Sequence, residues 1–405
     1  MKTTDVDRVT NWIVRRGLEG AQESDLLREF CEKCNEAGLP IARALVLIDT
    51  LHPVHEGTVF RWRNDDVEEK ATQTYGRTTE GSATATAWHS SPFYHLLQTG
   101  GEELRRRIGF GESADFSVIE ELRESGHTDH IAFVYRFASD ATIGEMDGVY
   151  SSWSTRCPDG FDDAGIAALR QLAPIVGLAI KSATLTNVAH TLVETYLGRD
   201  AGRRVLGGRT QRGVADRIEA ALWFSDLRGY TTITDTAAPG EIIPLLNDYA
   251  EAVITAIHEA GGDVLKLIGD GALALFRGDD PAEACRRALR AEENLRVRIK
   301  ELNERRQAEE QPITSVYIGL HVGAVFYGNI GSVDRLDFTV VGPAVNETSR
   351  IASMCRSVDR PVLVSSAFAA SLSTRERAGL VSVGRFALRG VGRAQELFTL
   401  DPELI

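Results

Sequence analysis

Two aspartates stand where carboxylates could hold a divalent cation. Asp226 follows the apolar run 222–224 at the predicted end of a strand, and Asp270 lies between two glycines at the predicted tip of a hairpin. If the two strands are neighbours in a sheet, both carboxylates emerge at one end. Carboxylate oxygens suit Mg²⁺, which usually keeps substrate phosphates and waters as its remaining ligands. Taken singly, each aspartate is equally explained as an N-cap or turn residue.

Three further polar side chains change that balance. Lys266 lies four residues before Asp270 in an otherwise apolar strand, where an ammonium group is costly unless it faces a cleft or has a partner. Asn346 and Arg350 are i and i+4 in a predicted helix and therefore share one face. An amide and a guanidinium presented together suit a ribose and a phosphate. The combined pattern favours a phosphate-bearing ligand.

Three motifs in this order resemble the catalytic domain of class III nucleotidyl cyclases. They are F-S-D-L-R-G-Y-T at 224–231, K-L-I-G-D-G at 266–271 and T-V-V-G-P-A-V-N-E-T-S-R at 339–350. Each motif alone is weakly specific, whereas the three together in order and spacing are highly specific. The resemblance covers residues 216–398, about 45% of the chain.

The resemblance implies a metal centre. Asp226 and Asp270 would hold two Mg²⁺ or Mn²⁺ ions per active site, with the backbone carbonyl of Leu227 as a further ligand. One ion would activate the ribose 3′-hydroxyl and the other would bind the triphosphate. Backbone amides of the loop after Leu227 would help to cradle the phosphates, and that loop contains Gly229, Tyr230 and Thr231.

The resemblance also implies roles in reading the substrate. Lys266 and Thr339 match the base-reading pair, and a lysine can donate to N1 of adenine but not to the N1–H of guanine. Guanylyl enzymes of the family carry Glu and Cys-like residues there, so the pair argues for ATP. Many members have Asp where this chain has Thr339, and the Thr variant resembles a bacterial subclass, some of whose members respond to bicarbonate. Asn346 would orient the ribose, Arg350 would stabilise charge on the α-phosphate, and Arg389 stands where the family usually has a phosphate-binding lysine.

The expected reaction is the conversion of ATP to 3′,5′-cyclic AMP and pyrophosphate. In this family the metal aspartates and the base-, ribose- and phosphate-binding residues come from opposite subunits. This chain carries each set once, which implies a head-to-tail homodimer with two composite sites. The alternative is a cyclase-like domain that has lost catalysis and binds a nucleotide or a protein. Retention of both aspartates, Asn346 and Arg350 argues against that alternative.

The elements that must position these residues divide the chain into three parts. Residues 216–405 have a βααββαβ order, which predicts an α+β, ferredoxin-like palm: a largely antiparallel sheet with helices on one face. Within residues 161–215, apolar residues spaced three and four apart predict a long signalling helix. An Arg-rich linker is predicted to follow this helix. Residues 1–160 resemble an α/β GAF-like sensor domain. A small-molecule effector would bind it near residues 88–95 and 131–150.

Local patterns leave several weaker alternatives. The stretch 65–87 is polar and without periodicity, so we expect a loop or a weak element. The run 261–264 resembles the start of a diguanylate cyclase signature, which then fails at its fourth and fifth positions. Cys31 and Cys34 form a C-x-x-C without a second pair, and helix packing explains them better than zinc or redox chemistry.

Composition limits the partners and the compartment. Lys and Arg number 45 against 58 Asp and Glu, a net charge of −13, which disfavours holding a nucleic acid by bulk charge. The longest uninterrupted apolar runs are shorter than the ~20 residues of a membrane span, and the first residues lack a signal-peptide pattern. Five cysteines do not make a disulfide framework. The sequence thus predicts a cytoplasmic protein with no nucleic-acid partner and no membrane span.

Overall fold

The computed structural model describes residues 1–65, 70–79, 81–138, 140 and 142–401. The chain divides into two compact units, Met1–Leu192 and Val193–Ile405. Part of the stretch predicted as a loop, residues 66–69 and 80, lies outside the described residues, as do residues 402–405 at the end of the predicted catalytic domain.

The first unit contains a six-stranded antiparallel sheet in the order β3-β2-β1-β6-β5-β4. Its elements are α1 (Thr3–Leu18), α2 (Glu23–Glu36), β1 (Arg43–Asp49), β2 (His55–Arg63), β3 (Thr72–Gly76), α3 (Ala83–His89), α4 (Pro92–Thr99), β4 (Glu103–Arg106), α5 (Ser117–Glu124), β5 (Asp129–Arg136) and β6 (Gly148–Thr155). Helices α1 and α2 pack on one face around Phe30 and Trp153, and α4 packs on the other against Tyr150. Strand β3 and most of helix α3 lie in the stretch expected to be a loop or a weak element.

A 35-residue helix, α6 (Asp163–Leu197), begins in the first unit and continues into the second. Pro174 lies inside the helix without ending it. Apolar residues of its first half, among them Leu172 and Val176, are buried in the core of the first unit. By length and composition α6 could also cross a membrane, since an 18-residue window has a mean hydropathy of 1.4, with 44% of that window buried in the protein. The sequence analysis did not identify this property.

The second unit is built on a sheet in the order β13-β14-β12-β10-β7-β9-β8, with β11 paired to β10. Its elements are α7 (Arg199–Leu206), β7 (Ala215–Leu227), α8 (Tyr230–Thr236), α9 (Pro239–Glu259), β8 (Gly262–Ile268), β9 (Gly271–Phe276), α10 (Pro281–Ala308), β10 (Val316–Gly331), β11 (Leu336–Val341), α11 (Pro343–Val358), β12 (Val362–Ser365), α12 (Ser366–Ser371), α13 (Thr374–Arg377), β13 (Leu380–Phe386) and β14 (Gln395–Leu400). The strands pair antiparallel except β10 with β12, so the predicted α+β palm with a largely antiparallel sheet is confirmed.

Helices cover both faces of this sheet, which corrects the expectation of a single helical face. Residues of α9 and α10 share a core with Trp223 and Ile318. Helix α11 instead packs by Ile351 against Tyr317, the neighbour of Ile318 on β10. Because successive side chains of a strand point to opposite faces, α11 lies on the other side of the sheet.

One local expectation at the edge of this unit was incomplete. The Arg-rich segment predicted to be a linker contains helix α7, where Ala201 and Gly202 are buried. Val205 of the same helix is partly buried and packs in the cluster that contains Ala201. A helix of eight residues gives too short an apolar pattern to be identified from the sequence.

Candidate active site

Asp226 and Asp270 lie together at one end of the sheet. Strand β7 pairs with β9, with Ser225 opposite Ala272, so the end of β7 meets the turn between β8 and β9. The backbone amide of Leu227 donates to Oδ2 of Asp270 at 3.3 Å. Gly271 permits this contact, because a Cβ there would lie 2.3 Å from the carbonyl oxygen of Ser225. The predicted proximity of the strands is therefore present.

The carboxyl of Asp270 perturbs that of Asp226. Burial, together with hydrogen bonding and charge from the adjacent carboxyl of Asp270, raises the pKa of Asp226 to about 6. Two hard oxygen donors that repel each other are suited to a shared divalent cation. No cluster of three or more His, Cys, Asp or Glu ligands occurs among the described residues. Such an ion would take its other ligands from backbone, water or substrate.

The residue that precedes strand β10 holds the loop after Leu227 in place. The amide of Arg228 donates to the carbonyl of Ser315 at 2.8 Å, and Gly229 adopts a φ of 70° before α8 begins. Tyr230 and Thr231 are the first residues of that short helix, next to the two aspartates. The predicted phosphate loop is thus adjacent to the predicted metal ligands.

Lys266 has a partner that the sequence did not identify. Its Nζ lies 2.5 Å from Oδ2 of Asp337, and both side chains are partly exposed. Asp337 stands two residues before Thr339 on β11, so the two side chains share a face of the strand. Lys266 is therefore in contact with the strand that carries Thr339.

Thr339 has a hydroxyl without an internal partner. The residue is 7% exposed, and its Oγ1 is buried without a hydrogen-bond partner among the described residues. An unsatisfied buried hydroxyl is unfavourable unless a ligand or water completes it. This is the behaviour expected of a group that meets a ligand.

Asn346 and Arg350 project from the first turns of α11 into a cleft of about 760 Å³. The helix lies against β10 at Gly319, where a Cβ would be 2.4 Å from the amide nitrogen of Ala352. Gly390 of the loop after β13 forms the opposite wall of the cleft, close to the Arg350 guanidinium. Arg389 precedes Gly390 and is exposed on the same loop.

Helix α11 is also held by a buried histidine that the sequence analysis missed. His321 Nε2 lies 2.9 Å from Glu347 Oε2, and its Nδ1 lies 2.8 Å from Ser365 Oγ. Glu347 also accepts from Gln395 Nε2 at 2.8 Å. Burial lowers the pKa of His321. Glu347 follows Asn346 directly, so these contacts fix the start of α11.

Asn346 and Arg350 line a surface separate from that of Asp270. Asp270 lines a cavity of about 210 Å³ beside α9, which shares no lining residue with the Asn346 and Arg350 cleft. Lys266 differs from these two residues, because it lies on the β8–β9 hairpin four residues before Asp270 and contacts Asp337 of β11.

Comparison with known proteins finds one family that is similar to this unit. Residues 215–401 match the family model described as the adenylate and guanylate cyclase catalytic domain. An adenylate cyclase of Anabaena cylindrica is 36% identical over 168 residues, which cover 40% of this chain and 33% of that protein. The chain spans about a third of the length of the curated relatives it matches.

Solved structures of cyclases are also similar to this unit. The adenylyl cyclase CyaB from P. aeruginosa is 22% identical, with a TM-score of 0.42, over 46% of this chain and 96% of that chain. The guanylyl cyclase Cya2 is 26% identical, with a TM-score of 0.40, over 46% of this chain and 95% of that chain.

Proposed function

We propose that the second unit, whose residues 215–401 belong to the adenylate and guanylate cyclase family, converts ATP to 3′,5′-cyclic AMP and pyrophosphate. The observation that carries this proposal is the pairing of Asp226 with Asp270 at the end of β7, beside the loop at Arg228–Thr231. A centre of this kind suits phosphoryl transfer, in which positioning and charge neutralisation supply most of the catalysis.

ATP is favoured over GTP by the groups around the base. The Lys266 ammonium can donate to N1 of adenine, and the buried Thr339 hydroxyl has no internal partner among the described residues. Guanine would present N1–H to the ammonium, and the two donors would oppose each other. The carboxylate of Asp337 contacts the Lys266 ammonium and would hold it in place when no base is bound.

The chain's own residues account for the remaining contacts with ATP. Asn346 would orient the ribose so that its 3′-oxygen is in line with the α-phosphorus. The Arg350 guanidinium would stabilise the negative charge that grows on the α-phosphate during attack. The amides of Gly229, Tyr230 and Thr231 would help to hold the triphosphate, with Arg389 as a further cation near the cleft.

Asp226 and Asp270 would hold Mg²⁺ or Mn²⁺, with the Leu227 carbonyl as a further ligand. Two divalent ions bound there would supply charge neutralisation of the triphosphate and acidification of the ribose 3′-hydroxyl. The burial of Asp226 beside the carboxyl of Asp270, which raises the pKa of Asp226, is the feature that fits such ions.

A head-to-tail homodimer follows from the separation of the two sets of residues. Asn346 and Arg350 line a different cleft from Asp270, so for one nucleotide they would come from a second copy of the chain. Large apolar side chains are exposed on the β8–β9 and β10–β11 hairpins and suit such an interface. They are Leu267, Ile268, Phe326, Ile330, Val333, Leu336 and Val341.

The first unit is proposed to act as a GAF-like sensor for a small-molecule effector, coupled through α6, in a cytoplasmic protein. Its aromatic cluster at Trp88, Phe93 and Tyr150 lies in the region expected to bind the effector. Aromatic side chains at this place are equally suited to filling a core, so direct ligand screening decides this part.

The experiment that tests the proposal is a product assay. Purified full-length protein is incubated with Mn²⁺ and either ATP or GTP, beside D270A and the surface control E304Q. Cyclic AMP from ATP, abolished in D270A and retained in E304Q, is the expected result. Nucleotide binding without product in all conditions, including effector screens, would instead favour a cyclase-like binding module.

A further inference from the structure

A second cavity lies in the same unit, away from the residues assigned to catalysis. It has a volume of about 360 Å³ and lies between α10 and the ends of strands β10, β12 and β14. Its walls are mainly apolar, and they include Leu295, Ile299, Val316, Ile318, Val362 and Leu400. A cavity of this size and lining is typical of small-molecule sites.

Three charged residues line the cavity: Glu292, Arg296 and Arg360. Glu292 is 5% exposed and accepts from Arg296 Nη2 at 2.6 Å. Burial raises the pKa of Glu292, an effect that Arg296 opposes, so the negative charge of this carboxyl is disfavoured. Arg360 has no carboxylate partner among the described residues, and its Nη1 donates only to the carbonyl of Asp359.

The charge of the lining is therefore positive, with two guanidinium groups and one carboxyl. The Arg296 Nε atom is also buried without a hydrogen-bond partner among the described residues. An apolar body with a single anionic group would match both the walls and the surplus positive charge. A cation would be repelled by the two arginines. A fully apolar molecule would leave the excess positive charge of the cavity uncompensated.

The cavity shares a wall with the metal-binding end of the sheet. Val316 lines both this cavity and the one beside Asp270, and on β10 it is paired with Leu227. Ser315 also lines the cavity, and its carbonyl accepts from the amide of Arg228 in the phosphate loop. A molecule in the cavity would thus touch the residues that fix the position of this loop.

We propose that this cavity binds a small apolar carboxylic acid and that its occupancy changes the rate of turnover. The binding part stands independently of the proposed function, whereas the effect on turnover rests on it. The coupling runs through Ser315 and Val316, which contact the cavity on one side and hold the Leu227–Arg228 backbone on the other.

The test uses the full-length chain and 2-naphthoate, with neutral 2-naphthamide as the matched probe. Calorimetry should show one naphthoate per chain, and the amide should bind at least about fivefold more weakly. I299W should abolish binding by filling the cavity, whereas V297W on the exposed side of α10 should not. R360A should weaken naphthoate binding about fivefold, and R290A, at an exposed position on α10, should leave it unchanged. Melting temperatures establish that each variant is folded.

Cyclase activity is measured on the same samples. Saturating naphthoate should change turnover in the wild type and V297W but not in I299W. Three results would overturn the proposal. They are naphthoate binding that survives in I299W, equal affinities for naphthoate and naphthamide, and naphthoate binding that requires removal of the residues after Asp401. Naphthoate binding without any cyclase activity would overturn the proposed function but not the proposed binding site. Cyclase activity without naphthoate binding would overturn this inference but not the proposed function.

Discussion

Lys266 Nζ lies 2.5 Å from Asp337 Oδ2, although 71 residues separate them in the chain. The contact places an acceptor beside the ammonium group that is proposed to read adenine. Because Asp337 and Thr339 lie on one face of β11, any change of base specificity must take this carboxylate into account. We therefore expect that Lys266, Asp337 and Thr339 must be changed together to alter base specificity.

The first prediction concerns that group. The double variant K266E/T339C should shift preference from ATP toward GTP but remain a poor enzyme, because the carboxylate introduced at position 266 would face Asp337 and like charges repel. Adding D337N should raise kcat/KM for GTP about tenfold over the double variant, which corresponds to about 1.4 kcal/mol. Steady-state kinetics with both nucleotides provide the measurement. Adding D334N instead, in the turn before β11, is the control, and equal gains from both would refute the idea.

Composite sites predict complementation between inactive chains. D270A lacks a metal ligand and R350A lacks the phosphate-binding guanidinium, so each alone should be inactive. A mixture of equal amounts, unfolded and refolded together, should recover about one quarter of wild-type activity, because half of the dimers are mixed and each has one intact site. Activity is read as cyclic AMP formation. If the mixture stays as inactive as its components, both sets act within one chain.

Gly271 should be intolerant of a side chain. In G271A the new methyl group would lie 2.3 Å from the Ser225 carbonyl oxygen, which must push the Asp270 turn away from β7. We expect at least a tenfold loss of activity and a destabilisation of about 1–3 kcal/mol, typical of overpacking. Thermal melting and product assays measure both effects. G240A is the control, since a Cβ at Gly240 meets nothing within 4 Å.

The first unit should lose stability in mild acid. His130 is buried, its Nδ1 lies 2.9 Å from Ser154 Oγ, and burial lowers its pKa to about 3. The unfolded chain therefore binds the proton more readily, so the free energy of unfolding falls as the pH drops from about 6.5 toward about 3. Between pH 7 and pH 5 this histidine should cost about 2 kcal/mol of stability.

Urea unfolding followed by tryptophan fluorescence tests this expectation. H130Q should lose correspondingly less stability than the wild type between pH 7 and pH 5. H89Q removes an exposed histidine of the same unit and should follow the wild type. An H130Q profile parallel to that of the wild type would show that acid acts through other groups, such as His127, whose pKa burial also lowers.

Elements with strong local signals could be predicted from the sequence. Helix α10 begins at Pro281 after Asp280, whose carboxylate caps it by accepting from the amide of Glu283, and its extent agrees with the apolar period. Strand β3 could not be predicted, because its side chains are mostly exposed and polar and it forms by pairing with β2. Helix α7 was missed for a related reason, since its buried positions are Ala201 and Gly202.

The candidate site shows the same contrast between contacts with a local sequence signal and contacts without one. The proximity of Asp226 and Asp270 follows from a short hairpin and a neighbouring strand, so local patterns were enough to predict it. The contact of Lys266 with Asp337 and that of His321 with Glu347 depend on which elements lie next to each other in the folded chain. Those contacts are non-local, and a single sequence carries no signal for them beyond a polar residue in an apolar strand.

The end of α6 meets the strand that carries Lys266. Gly198, directly after the helix, has a φ of 85°, and a Cβ there would lie 2.4 Å from the carbonyl oxygen of Val264 on β8. Only glycine fits this joint without displacing the strand. For protein engineering, Gly198 is therefore a junction that must be kept. Input domains could be exchanged upstream of Leu192, provided that the residues from Leu192 to Gly198 remain unchanged.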